Sequence, residues 1–484
     1  MMIEPYTPAM FLSILPEILL VGLAGLIMLS DLVWPESRKR GLGLLTSVGF
    51  GVILVVALIF SRPAAPAGNP LIFGGMIRDD FAAFFFRIMF LFSGAVVALL
   101  SLDSPGVGRK GEYYAILVSA VLGMNFMAAA ADLIMLYLSI ETTSIALYLL
   151  AGYLRDEDKS AESGLKYFLF GAFTSTVMLY GFSLLYGFTG KTNLYELGSA
   201  LASVPPLAVV AASMLVLVGF GFKVAAVPFH FWSPDVYEGA PTPITAFISV
   251  ASKAAGFAVL LRVMLAVFPG AESYWVPLMA AISTATMTLG NSLALAQKNI
   301  KRLLAYSSIA QAGYALIGLA ANSKEGLAAT IFYLATYTLT NLVAFGVIIL
   351  TSRIVGSDEI KDYAGLSRRS PGLALAFMVA FLSLGGMPPF AGFFGKFFVF
   401  AAAVQQDLIW LAFVGVINAI VGLYYYLTVL KVVYLYRSEH ENEKIPTPRA
   451  YAFALAACVV GILLLGTWST PWIDWATRAA GNLF

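Results

Sequence analysis

Apolar runs of about 20 residues recur along this chain, separated by short stretches that hold most of its charge. A helix needs roughly 20 apolar residues to cross the hydrocarbon core of a bilayer. The runs predict spans over residues 9–30, 42–61, 79–102, 112–131, 132–153, 161–189, 205–229, 241–267, 274–296, 301–321, 325–354, 373–403, 408–436 and 449–470. They are too long, and too rich in Leu, Ala, Phe and Gly, for the alternating strands of a membrane barrel. No basic residue precedes the first run and no small-residue cleavage site closes it, so it is expected to stay as a helix rather than leave as a signal peptide. The pattern predicts an all-α, polytopic membrane protein of about 14 transmembrane helices.

Composition agrees: 60% of the 484 residues are hydrophobic and 12% are charged, where a soluble domain has about 25% charged. Lipid is the one solvent that satisfies so much apolar surface. The loops also carry a direction. Counted from an outside N-terminus, the inward loops hold 17 Lys and Arg, and the outward loops and termini hold 5. The positive-inside rule then puts both termini on the side away from the cytoplasm.

Redox chemistry on this chain is not expected. Iron–sulfur clusters need several thiolates, and Cys458 is the single cysteine. A bis-histidine haem needs two placed histidines, whereas only His230 and His440 exist and His440 falls in a charged loop. No metal or cofactor site is expected, and the net charge of +2 gives no sign of a nucleic-acid partner. Gly106, Gly108 and Gly111 spell a glycine fingerprint, but between two membrane helices and without the strand that a dinucleotide site requires. The acidic run Asp156, Glu157, Asp158 is expected to be a solvated connection.

The informative residues are the charges left inside spans: Arg87, Lys166, Lys223, Lys253, Arg262, Lys396, Lys431 and Glu141. Each charge at the centre of a bilayer costs on the order of 2.5–3.5 kcal/mol on insertion scales. Arg262 and Lys431 lie near span ends, where a long stem can snorkel to the interface. Lys166 is also near an end, and both snorkelling and a functional role stay open. Arg87 is expected to pair with Asp79 or Asp80. Glu141, Lys223, Lys253 and Lys396 lie deeper; Glu141 is nine residues into its span, roughly 13 Å at 1.5 Å per residue. Such groups should face the bundle interior and pair or hydrate there. A static Glu141–Lys223 pair would account for two of them and leave two lysines over.

Helix breakers stand beside these lysines. Pro228 follows Lys223, Gly256 follows Lys253, and Gly385, Gly386, Pro388 and Pro389 precede Lys396. Broken helices at membrane depth are tolerated where they line a water-filled cavity, and transporters with internal repeats place them in corresponding positions of two halves. Lys223 falls on the seventh predicted helix and Lys396 on the twelfth. A five-helix unit used twice, the second copy inverted, would put them at equivalent positions. The resulting units are an N-terminal three helices over 1–111, repeats over 112–267 and 268–436, and a C-terminal transmembrane helix within 437–484.

The motifs now resemble a family. Gly219–Lys223 with the run Pro228 to Pro243, Lys301 to Ser308, and Gly385 to Lys396 are similar to the antiporter-like membrane subunits of respiratory complex I, NADH-quinone oxidoreductase, over about residues 110 to 435. The Tyr237-Glu238-Gly239-Ala240-Pro241-Thr242-Pro243 run favours complex I over the related cation/proton antiporters. Lysine at 396, where one sister subunit has glutamate, and the lack of a long C-terminal extension favour one branch of the family.

The resemblance implies a proton path through Glu141, Lys223, Lys253 and Lys396, with Lys166, His230 and Gln311 as possible relay residues. Several relatives have histidine where this chain has Gln311. It further implies that FMN, iron–sulfur clusters, NADH and quinone belong to other subunits. The partners implied are the other antiporter-like and small membrane subunits, and the lateral helix that one of them carries. The location implied is the bacterial inner membrane. A subunit of a multi-subunit cation/proton antiporter or of a membrane-bound hydrogenase is the alternative.

Overall fold

A computed structural model describes residues 7–63, 70–438 and 443–483; His440 lies outside them. Twelve helices among the described residues are long and apolar enough to cross a membrane. The ninth predicted span coincides with helix Glu272–Ala294, which carries Pro277 in its interior. The twelfth is two shorter helices, Pro371–Gly385 and Ala391–Gln405. Residue 14 divides the first into Pro8–Ser13 and Leu15–Val33. Large apolar side chains such as Leu138, Ile145, Leu149 and Phe173 stand exposed on outer helix faces. In a bilayer, lipid covers such faces.

Several elements have no counterpart in the hydrophobic pattern, among them the short helices Leu194–Ala200 and Trp232–Gly239. A short hairpin pairs Leu71–Ile72 with Ile77–Arg78. A last helix, Thr470–Gly481, follows Arg449–Thr467 and sets Trp475 edge-on against Phe84 and Phe85. It is too short and polar to span, and its interfacial character explains why a search for long apolar runs passes over it.

The backbone repeats itself. Helices Asp158–Thr189 and Lys324–Val355 each run 32 residues and end on a left-handed glycine, Gly190 and Gly356. Each is followed by a strand-like bridge back to the cap of the preceding helix: Asp132 pairs with Asn193, and Asn299 with Glu359. Asp132 and Asn299 both cap by accepting from the amide two residues on, which satisfies an otherwise orphaned donor.

The two breaks match as well. The Ala225 and Ala226 amides donate to the Phe222 and Gly221 carbonyls at 3.1 and 2.8 Å. The Gly386 and Met387 amides donate to the Ser383 and Leu382 carbonyls, both at 3.0 Å. Both are Schellman closures around a left-handed residue. Counted from Ala225 and Gly386, Lys223 lies two residues before its break and Lys396 ten after. The lysines thus occupy opposite halves of their broken helices, against the expectation of equivalent positions.

Candidate functional site

The helices bring Lys223, Lys253 and Lys396 into the interior, exposed by 6%, 2% and 5%. Lys223 ends helix Pro206–Val224, just before the break that holds Pro228. Its ammonium donates to the Ser144 hydroxyl at 2.5 Å. Glu141 is only half-buried, at the edge of an exposed face, and accepts a bond from Ser175. Ser144, Ser175 and Lys223 line one small cavity. Glu141 and Lys223 are thus each held by a serine of their own, Ser175 and Ser144, and form no direct ion pair among the described residues.

Lys253 opens helix Lys253–Val267, directly after a π-helical turn, Ile248–Ser252. π-Turns widen a helix locally and recur at functional sites. Its ammonium donates to the Ser308 hydroxyl and carbonyl at 2.6 and 2.7 Å. Gly256, expected to break this helix, lies inside it. A side chain there would stand 3.0 Å from the Lys223 Cβ, so the glycine lets the two lysine-bearing helices approach.

Lys396 sits six residues into helix Ala391–Gln405, after the break with Pro388 and Pro389. It donates to the Leu384 carbonyl at 2.8 Å and lies 4.7 Å from the Tyr314 ring centre, a favourable place for a cation. The Gln311 amide shares that carbonyl at 3.1 Å, donates to the Tyr426 hydroxyl at 3.1 Å and accepts from Tyr333. Gln311 thus belongs to the lysine row.

The other two relay candidates stand apart. Lys166 is partly exposed and pairs with Glu162 and Asp235 at 2.5 and 2.6 Å. Asp235 and Glu238 both hold Arg302, at 2.8 and 2.9 Å, and Glu238 also holds Lys159 at 2.8 Å. Burial raises the Asp235 and Glu238 carboxyls, but these ion pairs outweigh it and hold both below the usual range. The cluster lies on the face that carries the basic loops. His230 is buried in the first break, its Nδ1 without a hydrogen-bond partner among the described residues. Burial lowers its pKa.

Two arginines correct expectations. Arg262 does not snorkel: it is 2% exposed and holds Asp80 with two bonds, at 2.7 and 3.0 Å, plus the Ala128 carbonyl and the Tyr195 hydroxyl. Arg87 pairs with Glu17 at 2.8 Å, not with Asp79 or Asp80. Both partners lie far off in sequence, where no local spacing could reveal them.

The hydroxyls that link the row, on Ser144, Ser175, Ser308, Tyr237, Tyr333 and Tyr337, carry no charge to mark them in the sequence. Their one sequence signal is position: Ser308 stands nine residues after cap Asn299, as Glu141 does after cap Asp132. Among the described residues no group of three or more His, Cys, Asp or Glu is placed to hold a metal.

Residues 130–422 match the family described as NADH:quinone oxidoreductase/Mrp antiporter, TM. NADH-quinone oxidoreductase subunit N of Moorella thermoacetica is 42% identical over 474 residues, 97% of this chain and 98% of that protein. A chain of respiratory complex I from Thermus thermophilus, solved with bound Aureothin, superposes with a TM-score of 0.80 at 34% identity, covering 95% of this chain and 98% of its own. A chain of the Mrp complex from Dietzia sp. superposes with a TM-score of 0.86 over 99% of this chain and 98% of its own. At 22% identity that match shows the fold alone.

Proposed function

Because this chain belongs to the NADH-quinone oxidoreductase subunit N family, we propose that it is the membrane subunit that carries protons while electrons pass from NADH to quinone on other subunits. The observation that supports this most is the row itself: three buried lysines, each bonded to a hydroxyl or carbonyl, and none in a direct ion pair among the described residues. A buried ammonium without a carboxylate partner is costly, and burial disfavours the charged form. Such a group can give up its proton and take it back.

Glu141 is the modulating acid in this scheme. Held by Ser175, which lines one small cavity with Lys223, its carboxylate offsets the ammonium charge. Drawn away or neutralised, it leaves Lys223 uncompensated, and the proton moves through Lys253 towards Lys396. From there it leaves on the outer side. The matching caps, bridges and breaks support two inverted five-helix units over 112–267 and 268–436, flanked by 1–111 and 437–484.

FMN, iron–sulfur centres and the quinone site are assigned to partner chains, so this chain contributes translocation and no redox step. The partners that fit are antiporter-like subunit M, small subunits K and J, and the lateral helix of subunit L, in a bacterial inner membrane with both termini outside. The antiporter alternative shares the fold, but the 42% identity to a subunit N against 22% to an Mrp chain favours the oxidoreductase. The test is Lys223→Ala in the assembled complex. Protons pumped per electron should fall; an unchanged ratio would sink the role of Lys223.

A further inference from the structure

Lys253 reaches towards Lys396 through one crowded oxygen. Its ammonium donates to the Ser308 hydroxyl at 2.6 Å. The same hydroxyl meets the Tyr237 hydroxyl at 2.9 Å and the Tyr337 hydroxyl at 2.8 Å. A serine hydroxyl has two acceptor lone pairs and one hydrogen. With Lys253 and Tyr337 on the lone pairs, the hydrogen has one place left, the Tyr237 oxygen. Ser308, Tyr237 and Tyr337 are all buried, so no bulk water relieves the crowding.

A second arrangement reverses the bond in which Tyr337 now donates to Ser308, so it needs a small turn of the Ser308 or Tyr337 side chain. Let Tyr237 donate to Ser308. The lone pairs then belong to Lys253 and Tyr237, and the serine hydrogen turns to Tyr337. Tyr337 turns its own hydrogen into the cavity that it lines with Gln311, Tyr333 and Lys396. In the first arrangement the string of hydrogens ends at Tyr237. In the second it runs from Lys253 to the edge of the Lys396 site.

We propose that Ser308 is a relay residue whose single hydrogen passes the proton from Lys253 towards Lys396, and that Tyr237 is the valve that aims it. This rests on the lysine row proposed above. The step balances. Lys253 gives one proton to the Ser308 oxygen, Ser308 gives its own to the Tyr337 oxygen, and Tyr337 gives its own to a water in the cavity. That water passes a proton to a neutral Lys396 amine. Lys253 is left neutral, each N–H or O–H bond broken is matched by one formed, and no oxidant takes part. The cavity holds about 10 Å³, close to the least volume that admits one water.

Tyr237 is well placed to answer to the surface. It rides on the short helix Trp232–Gly239 of the first break. On that helix Asp235 and Glu238 are held by Arg302, Lys166 and Lys159. A shift in this ion cluster moves the helix, and with it the bond between Tyr237 and Ser308.

The test uses the complete complex in inverted membrane vesicles, with assembly checked by native electrophoresis and pumping read against NADH oxidation. Ser308→Ala and Tyr337→Phe should cut pumping roughly tenfold, equal to about 1.4 kcal/mol of barrier. Ser308→Thr keeps the hydroxyl and should pump. Tyr237→Phe frees the serine hydrogen for Tyr337, so it should still pump but lose its gradient faster once NADH is spent. If Ser308→Ala pumps like the parent while Lys253→Ala fails, the relay is wrong and the lysine row stands. If Lys253→Ala also pumps normally, the row itself is wrong. Tyr237→Phe behaving like Tyr337→Phe would leave no valve. Should Ser308→Ala fail to assemble, the two Tyr→Phe variants, which change only a hydroxyl, decide the matter.

Discussion

At the scale of single residues, a buried polar group is defined by what it touches. Gln311 shows this. Its amide nitrogen serves Leu384 and Tyr426, while its oxygen takes the Tyr333 hydroxyl. Gln311→Leu would orphan that hydroxyl and leave Lys396 alone on the Leu384 carbonyl. One unsatisfied buried group costs about 1–3 kcal/mol. The thermal midpoint of the subunit should fall and pumping should slow, whereas Gln311→His, which keeps a donor and an acceptor, should pump. Proton uptake by vesicles checks both. Equal pumping in all three would remove Gln311 from the path. The deep lysines and Gln311 were legible in the sequence because a charge inside an apolar run, or a family motif around it, stands out. Ser308 and Tyr237 were not, because a hydroxyl is unremarkable in any helix until its neighbours are known. Arg262 and Arg87 look alike in sequence too; only the distant Asp80 and Glu17 reveal them as buried clamps.

At the scale of elements, the breaks matter more than the spans. Proline and glycine announce both broken helices, and both occur where expected. The π-turn Ile248–Ser252 has no such residue, and Gly256, the breaker that the sequence offers there, lies inside the helix that follows. The short helix Trp232–Gly239 joins the surface to the row; Trp232, stacked on Tyr167, anchors it by packing, and the ion pairs of Asp235 and Glu238 anchor it by charge. Asp235 and Glu238 are held below the usual carboxylate range, since their ion pairs outweigh burial. A depressed carboxyl adds stability that is present above its unfolded pKa and lost as pH falls through its folded value. The contribution of Asp235 is thus complete at neutral pH and fades below about pH 4. Thermal unfolding of the solubilised complex should separate the native chain from Asp235→Asn at pH 7. The gap should persist down to about pH 4 and close only as the pH falls further, through the folded carboxyl's own lowered value. A gap independent of pH would mean that Asp235 acts through packing and not through charge.

At the scale of the molecule, the parts outside the repeats do more than fill the bilayer. Arg262 lies nine residues beyond Lys253 on the same helix, and it reaches Asp80 at the start of Phe81–Ser101 and the Ala128 carbonyl at the end of Gly111–Ala129. Asp80 also caps its own helix through Ala83 and pairs with Arg78 at 3.1 Å. Arg78 in turn reaches the Asn482 carbonyl near the last helix. One carboxylate thus ties the N-terminal helices, the Lys253 helix and the C-terminal helix together. Hydrophobic packing is non-directional. It would let these helices slide, whereas a bidentate guanidinium fixes their register. Removing one partner of a buried pair typically costs about 3–5 kcal/mol, because the other charge is left uncompensated. Asp80→Ala should therefore weaken the whole subunit, seen as loss of assembled complex on native gels. The double variant Asp80→Ala with Arg262→Leu should recover much of that loss, since it leaves no stranded charge on the Arg262 side. If the clamp also sets the position of Lys253, the double variant should assemble and yet pump less per electron than the native chain. Full pumping in a fully assembled double variant would make the clamp a matter of stability alone.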